Sequence, residues 1–297
     1  MKRFALGLAA ISMAAFVGAC GSDSDTPPCV GHGCGDALAP FGGQVLLEYL
    51  LKPDGSEVAK VTAWFTSAHD GNHPTLPEPG PSGAEPSCIN YSTTDAFPRA
   101  DVDGEVNIDV GDSITISNGT LDMVLTRNEA GVDGDFVQHD VLYTYVDTNP
   151  VPAAFHDANW TVTLEENGEV YEDILTGAIY SPTNFTLNSP TFDAGYSIDR
   201  SSDLDVEWTA EPDPTDIAAE AVDALVAFLD PNTGLHTLCL SPADEGTMTI
   251  SSAIVADVPD AGVFLVGKIA HNQKLNADNR VTHLLGRNCW VGPYTAQ

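Results

Sequence analysis

Positive charge is what this chain has least of. Eleven lysines and arginines face 43 aspartates and glutamates, a formal net charge of −32. Phosphate backbones are held by clustered Lys and Arg, so a nucleic-acid role is excluded, and anionic headgroups are repelled. Such a surface suits cations and saline water, where its self-repulsion is screened. Recognisable catalytic patterning is also missing. There is no Gly-x-Ser-x-Gly elbow, and the eight histidines are scattered along the chain, so no local signature of nucleophilic catalysis exists. Apolar runs are short with one exception, Phe4 to Ala19, which falls below the roughly 20 residues of a spanning helix.

What is present starts at that run. Lys2 and Arg3 precede it, small residues end it, and the whole reads as a signal peptide over residues 1–19. Val17-Gly18-Ala19-Cys20 resembles the lipobox of bacterial exported lipoproteins. That resemblance implies cleavage before Cys20 and lipid on its sulfur, anchoring the chain to a membrane of the cell envelope. Two or three acyl chains hold durably at about 0.8 kcal/mol per buried CH₂. Residues 20–37 form an acidic, Gly- and Pro-rich spacer. Gly21 stands where enteric lipoproteins retained on the inner membrane carry Asp, so the resemblance favours an outer-membrane destination.

An exported chain meets an oxidising compartment, where disulfides persist. Five cysteines remain besides Cys20: Cys29, Cys34, Cys88, Cys239 and Cys289. Cys29 with Cys34 would close a short glycine-rich loop, and Cys239 with Cys289 is the second expected pair, leaving Cys88 over. Spacing alone does not settle connectivity.

The body reads as all-β. Pro53-Asp54-Gly55, Asn118-Gly119, Asn167-Gly168 and Asp230-Pro231-Asn232-Thr233-Gly234 each sit between strand-like runs. Such pairs supply the positive φ that tight hairpins need, so four hairpins are predicted. Ala-rich residues 215–225 predict one or two helical turns, and 252–259 a single turn. The polar, proline-punctuated stretch Ser181–Pro190 suggests a boundary between an antiparallel β-sandwich domain (38–185) and a second domain (186–297). In the latter, Ser201–Thr209 alternates strictly, with Leu204, Val206 and Trp208 on one face. It resembles the early strand of immunoglobulin-like and fibronectin-like modules, which implies an immunoglobulin-like β-sandwich with Trp208 packed between two sheets.

Several constellations compete for a function. His69 and His73 stand four apart, but Gly71 and Pro74 break any helix that would aim both at zinc, so a surface loop is expected. The following Pro74–Pro86 loop is the first place to seek a partner site, since long loops on rigid scaffolds often bind. Asp101, Asp103 and Asp109 resemble a calcium loop of the EF-hand or dockerin type, with Arg99 misplaced at the first ligand position. With Asp133 and Asp135 they are the candidate calcium ligands between β-loops. Cys88 lacks the local signature of a catalytic thiol, and abundant acids make any carboxylate pair uninformative. Trp64, Trp160, Trp208 and Trp290 fall in strand contexts or beside Cys289 and are expected in the core. The expected role is a non-enzymatic binding or structural module for an envelope protein or glycan. The alternatives are a secreted hydrolase without a recognisable motif and a calcium-stabilised adhesin. A calcium-dependent loop would show as a rise in melting temperature with millimolar calcium that magnesium does not reproduce; no shift after chelation removes that alternative.

Overall fold

The computed structural model describes residues 41–65, 76–79, 83–92, 109–132, 138–148, 151–164, 174–191, 195–210, 217, 219, 221–275 and 281–297. The protein is an all-β sandwich with one short α-helix among these residues. In chain order the strands are β1 (Phe41–Leu51), β2 (Glu57–Phe65), β3 (Ser87–Asn90), β4 (Ser113–Ser117), β5 (Asp122–Val132), β6 (Gln138–Thr148), β7 (Ala158–Leu164) and β8 (Ile174–Ser181). They continue with β9 (Leu187–Ser189), β10 (Tyr196–Ile198), β11 (Leu204–Trp208), β12 (Ala221–Asp230), β13 (Gly234–Pro242), β14 (Thr247–Ile250), β15 (Ala261–Leu275) and β16 (Val281–Ala296). Helix α1 (Ser252–Val255) is the single turn expected at 252–259.

Local chemistry builds the hairpins. Between β1 and β2, Gly55 takes φ 78°, and Asp54 Oδ1 accepts the Ser56 amide at 2.9 Å, an Asx turn that presets the reversal. Asn118-Gly119 joins β4 to β5, and Gly234 closes β12 onto β13. Strands β7 and β8 also pair, although the return strand is 174–181 and the Asn167-Gly168 turn lies outside the described residues. The expected helical stretch differs at its end. Residues 221–225 belong to β12, because Leu225 and Ala227 are buried on one face and Ala224 and Val226 on the other, a continuous apolar demand that a strand satisfies.

Thirteen strands share one sheet, ordered β3-β13-β12-β15-β16-β1-β2-β6-β5-β4-β7-β8, with β10 extending the far end of β16. Most pairs are antiparallel, but β1 runs parallel to β16 from Phe41↔Val281 to Leu51↔Trp290, and β10 is parallel to β16. Strands from both sides of residue 185 therefore share one ladder. The stretch expected to hold a domain boundary is itself packed: Ser181, Pro182, Phe185 and Pro190 are buried. A second sheet, β14-β11-β9, lies over the β12–β16 region.

Three apolar layers result. Val45, Leu47, Val61, Ile114, Leu125 and Trp160 fill the interior where the β1–β8 half curls. Strand β8 there lies back against β15 and β16. Gly286 permits that approach, because a Cβ would strike the Tyr180 carbonyl. Val206, Trp208 and Ile250 of the small sheet meet Val226, Phe228, Phe264 and Val266 of the large one. Trp208 Nε1 donates to the Ala243 carbonyl at 2.8 Å, satisfying its one polar atom in that layer. Leu46, Leu225, Leu240, Leu265, Ile269 and Leu285 form a third cluster on the opposite face of the large sheet.

Charge is buried within this framework. Arg287 Nη2 of β16 meets Glu48 Oε1 of β1 at 3.1 Å, and both side chains are almost wholly enclosed. Removing one partner strands a charge in a low dielectric. Glu48→Leu or Arg287→Met alone should cost about 3–5 kcal/mol in urea unfolding, whereas the double substitution should recover most of that loss. Equal losses in the single and double variants would show that the pair is not energetically coupled.

Candidate binding cleft

A cleft lies where β13 hands the chain to the small sheet. After Pro242 a 3-10 turn, Ala243–Glu245, ends at Gly246 with φ 76°, a left-handed conformation suited to glycine, and β14 begins. Glu245 holds the turn to a second wall: Oε2 accepts the Ser241 hydroxyl at 3.0 Å and Oε1 the Gly83 amide. That wall, residues 83–86, leads directly into β3. There Cys88 is bonded to Cys239 of β13, so the wall is fastened at two points. The cleft is open to solvent and holds about 370 Å³, lined among others by Glu85, Asp203, Glu245, Thr247, Thr249 and Ser251. Asp203 Oδ1 also accepts the Ser252 amide at 2.7 Å at the start of α1. Among the described residues, the lining carries three carboxylates and several hydroxyls, and no Lys, Arg or His. Its chemistry suits a cationic, hydrogen-bonding partner and opposes an anionic one. The Pro74–Pro86 loop singled out in the sequence thus contributes its last four residues to a cleft.

A second polar group was not foreseen. In the large sheet, His271 Nε2 and His283 Nδ1 stand 3.3 Å apart, on the same face as the Glu48–Arg287 ion pair. Register places them: Gln44 is opposite His283, Glu48 opposite Arg287, and His271 opposite Leu285. Gln44, Glu48, His271, His283 and Arg287 are all at most 5% exposed. Histidines that look scattered in sequence meet because β15 and β16 form a long hairpin. The available signal is period two: Gln44 and Glu48 share a face of β1, and His283 and Arg287 share a face of β16.

The reverse face carries its own polar seam. Lys268 Nζ donates to Thr183 Oγ1 at 2.9 Å and Asn288 Nδ2 donates to the Thr183 carbonyl at 2.8 Å. His156 Nδ1 lies 3.3 Å from Asn288 Nδ2 and its ring stands edge-on to Tyr49, with centroids 4.4 Å apart. Burial pushes the Tyr49 hydroxyl well above its usual range, reinforced by hydrogen bonding to Glu57. Burial also pulls His156 below the ordinary 6.5, with Glu57 opposing.

The expected site residues are placed as follows. Cys239 is bonded to Cys88, which corrects the expected Cys239–Cys289 pair. The reason is register: Cys88 lies directly opposite Cys239 with Cα atoms 4.1 Å apart. Cys289 sits on β16, three strands from β13, buried opposite Gly267. Three strand spacings are about 14 Å, beyond the roughly 7 Å a disulfide bridges. Cys20, Cys29, Cys34, Asp101, Asp103, Asp133 and Asp135 lie outside the described residues, as do His69 and His73. Asp109 is described, and its oxygens are already engaged. Oδ1 accepts the Gly111 amide and the Tyr143 hydroxyl, each at 3.0 Å, and Oδ2 faces Arg127 Nε at 3.1 Å. The Tyr143 phenol is pushed up to about 12, chiefly by burial. Trp64, Trp160 and Trp208 are buried and Trp290 half-buried, as expected of core rings. Comparison with protein-family models and with curated proteins finds no match to the chain.

The His156 environment sets a pH dependence. The folded state favours the neutral ring, so below about 6.5 the unfolded chain binds the extra proton first. Its contribution is full above that value and is lost as pH falls through it. Thermal melts between pH 7.5 and 5.5 (roughly the histidine window) should show falling stability, with a shallower slope in His156→Gln. His236, also pulled down by burial, acts with the same sign and leaves a residual slope. An unchanged slope in the variant would refute the assignment.

Proposed function

We propose that the protein is a lipid-anchored lipoprotein of the bacterial cell envelope, acting as a non-enzymatic binding or structural module. The observation that carries this reading is the order Lys2-Arg3, apolar run, Val17-Gly18-Ala19-Cys20 and polar spacer. Gly21 after the lipid site favours the outer membrane. The Cys88–Cys239 bridge is in keeping with an oxidising compartment. The cleft of carboxylates and hydroxyls is suited to holding a cationic, hydrogen-bonding partner. Three of the groups a hydrolase could use, His271, His283 and Glu48, are enclosed in the sheet, out of reach of a substrate. The partner is an envelope protein or glycan, and the acidic body stands off an anionic bilayer instead of lying on it.

The test is detergent phase partitioning of the exported protein. Wild type should enter the detergent phase, incorporate radiolabelled palmitate and fractionate with outer membranes. Cys20→Ala should stay in the aqueous phase without label. A Cys20→Ala protein that still partitions into detergent would falsify the anchor.

A further inference from the structure

The cleft has a shape as well as a charge. Thr247, Met248 and Thr249, three consecutive residues of β14, all line it. Side chains of neighbouring residues point to opposite faces of a strand, so a cleft touched by three in succession runs along the strand's edge, where main-chain donors and acceptors project. Among the described residues β14 pairs with β11 alone and is an end strand of its sheet. The opposite wall is likewise four consecutive residues, Gly83 to Pro86. The space is a slot between two main chains, pinned by the Glu245–Gly83 contact and by the Cys88–Cys239 bridge.

We infer that this slot receives an extended peptide segment bearing lysine or arginine, which adds as a further strand along the edge of β14. This rests on the reading of the protein as a binding module and names the chemical class of its partner. The four residues of β14 offer about 13 Å of edge, enough to pair a short segment. Main-chain hydrogen bonds supply affinity in this mode, and alternate side chains supply selection. Selection here is electrostatic. Glu85 is exposed on the rim, and Asp203 and Glu245 stand at other points of the lining, with no cation among the described lining residues. The chain's net charge of −32 steers a cationic segment toward it.

The probe is a dye-labelled, end-capped octapeptide of alternating lysine and threonine. Binding is read by fluorescence anisotropy to the full chain in nonionic detergent. A second peptide of the same sequence carries a methyl on every backbone nitrogen, keeping the charge and removing the donors. The expected result is saturable one-to-one binding of the first peptide and loss of binding by the second. Glu85→Lys, an exposed change that leaves the melting temperature in place, should weaken the first peptide about fivefold. Equal binding of the methylated peptide would show diffuse attraction to the acidic surface and overturn strand addition. So would an unchanged affinity in Glu85→Lys, or no saturable binding. None of these failures touches the lipid anchor, which detergent partitioning tests separately.

Discussion

The parallel ladder between β1 and β16 ties the first described strand to the last and puts both in the middle of a thirteen-stranded sheet. On one side of that seam β2, β6, β5, β4, β7 and β8 follow; on the other β15, β12, β13 and β3. Neither half has its inner edge covered without it. The cost of closing so long a loop grows only slowly with its length. Its delay to folding is larger, because non-local pairs form only after much of the chain has been ordered. Once formed, the seam is enclosed on both faces, with Val45 and Leu47 in one cluster and Leu46 in another.

Enclosure on both faces explains where the polar residues are put to use. A strand in a uniformly apolar setting can slip along its neighbour at little loss, and a shift of one residue reverses which side every group faces. In the observed register Glu48 is opposite Arg287 and Gln44 opposite His283. A slipped ladder would bury these groups against leucines, with several kcal/mol lost per stranded charge. The ion pair thus marks one alignment as correct. On the other face Thr183 takes hydrogen bonds from both Lys268 and Asn288, holding the stretch after β8 across β15 and β16.

How much of this was legible follows from the range of each interaction. Hairpins with a glycine at the turn could be read, because their chemistry is complete within a few residues. So could the burial of Trp208, whose strand alternates visibly. The Cys88–Cys239 bridge could not, since it depends on β3 pairing with a strand far along the chain. The His271–His283 pair depends likewise on the register of β15 against β16. Ser181–Pro190 has the composition of a linker, yet its polar groups serve as partners for buried ones. Composition reports that a segment is polar and does not report what it is polar toward.

The direction of β16 has a consequence for how the body is presented. Because β1 and β16 are parallel, the chain enters the sheet at Phe41 beside Val281, and β16 then runs on past the other end of β1 to Ala296. Sixteen residues of strand cover roughly 50 Å. A reporter or epitope fused after Gln297 would leave the sheet from the longest strand among the described residues, beyond the end of β1 opposite to Phe41.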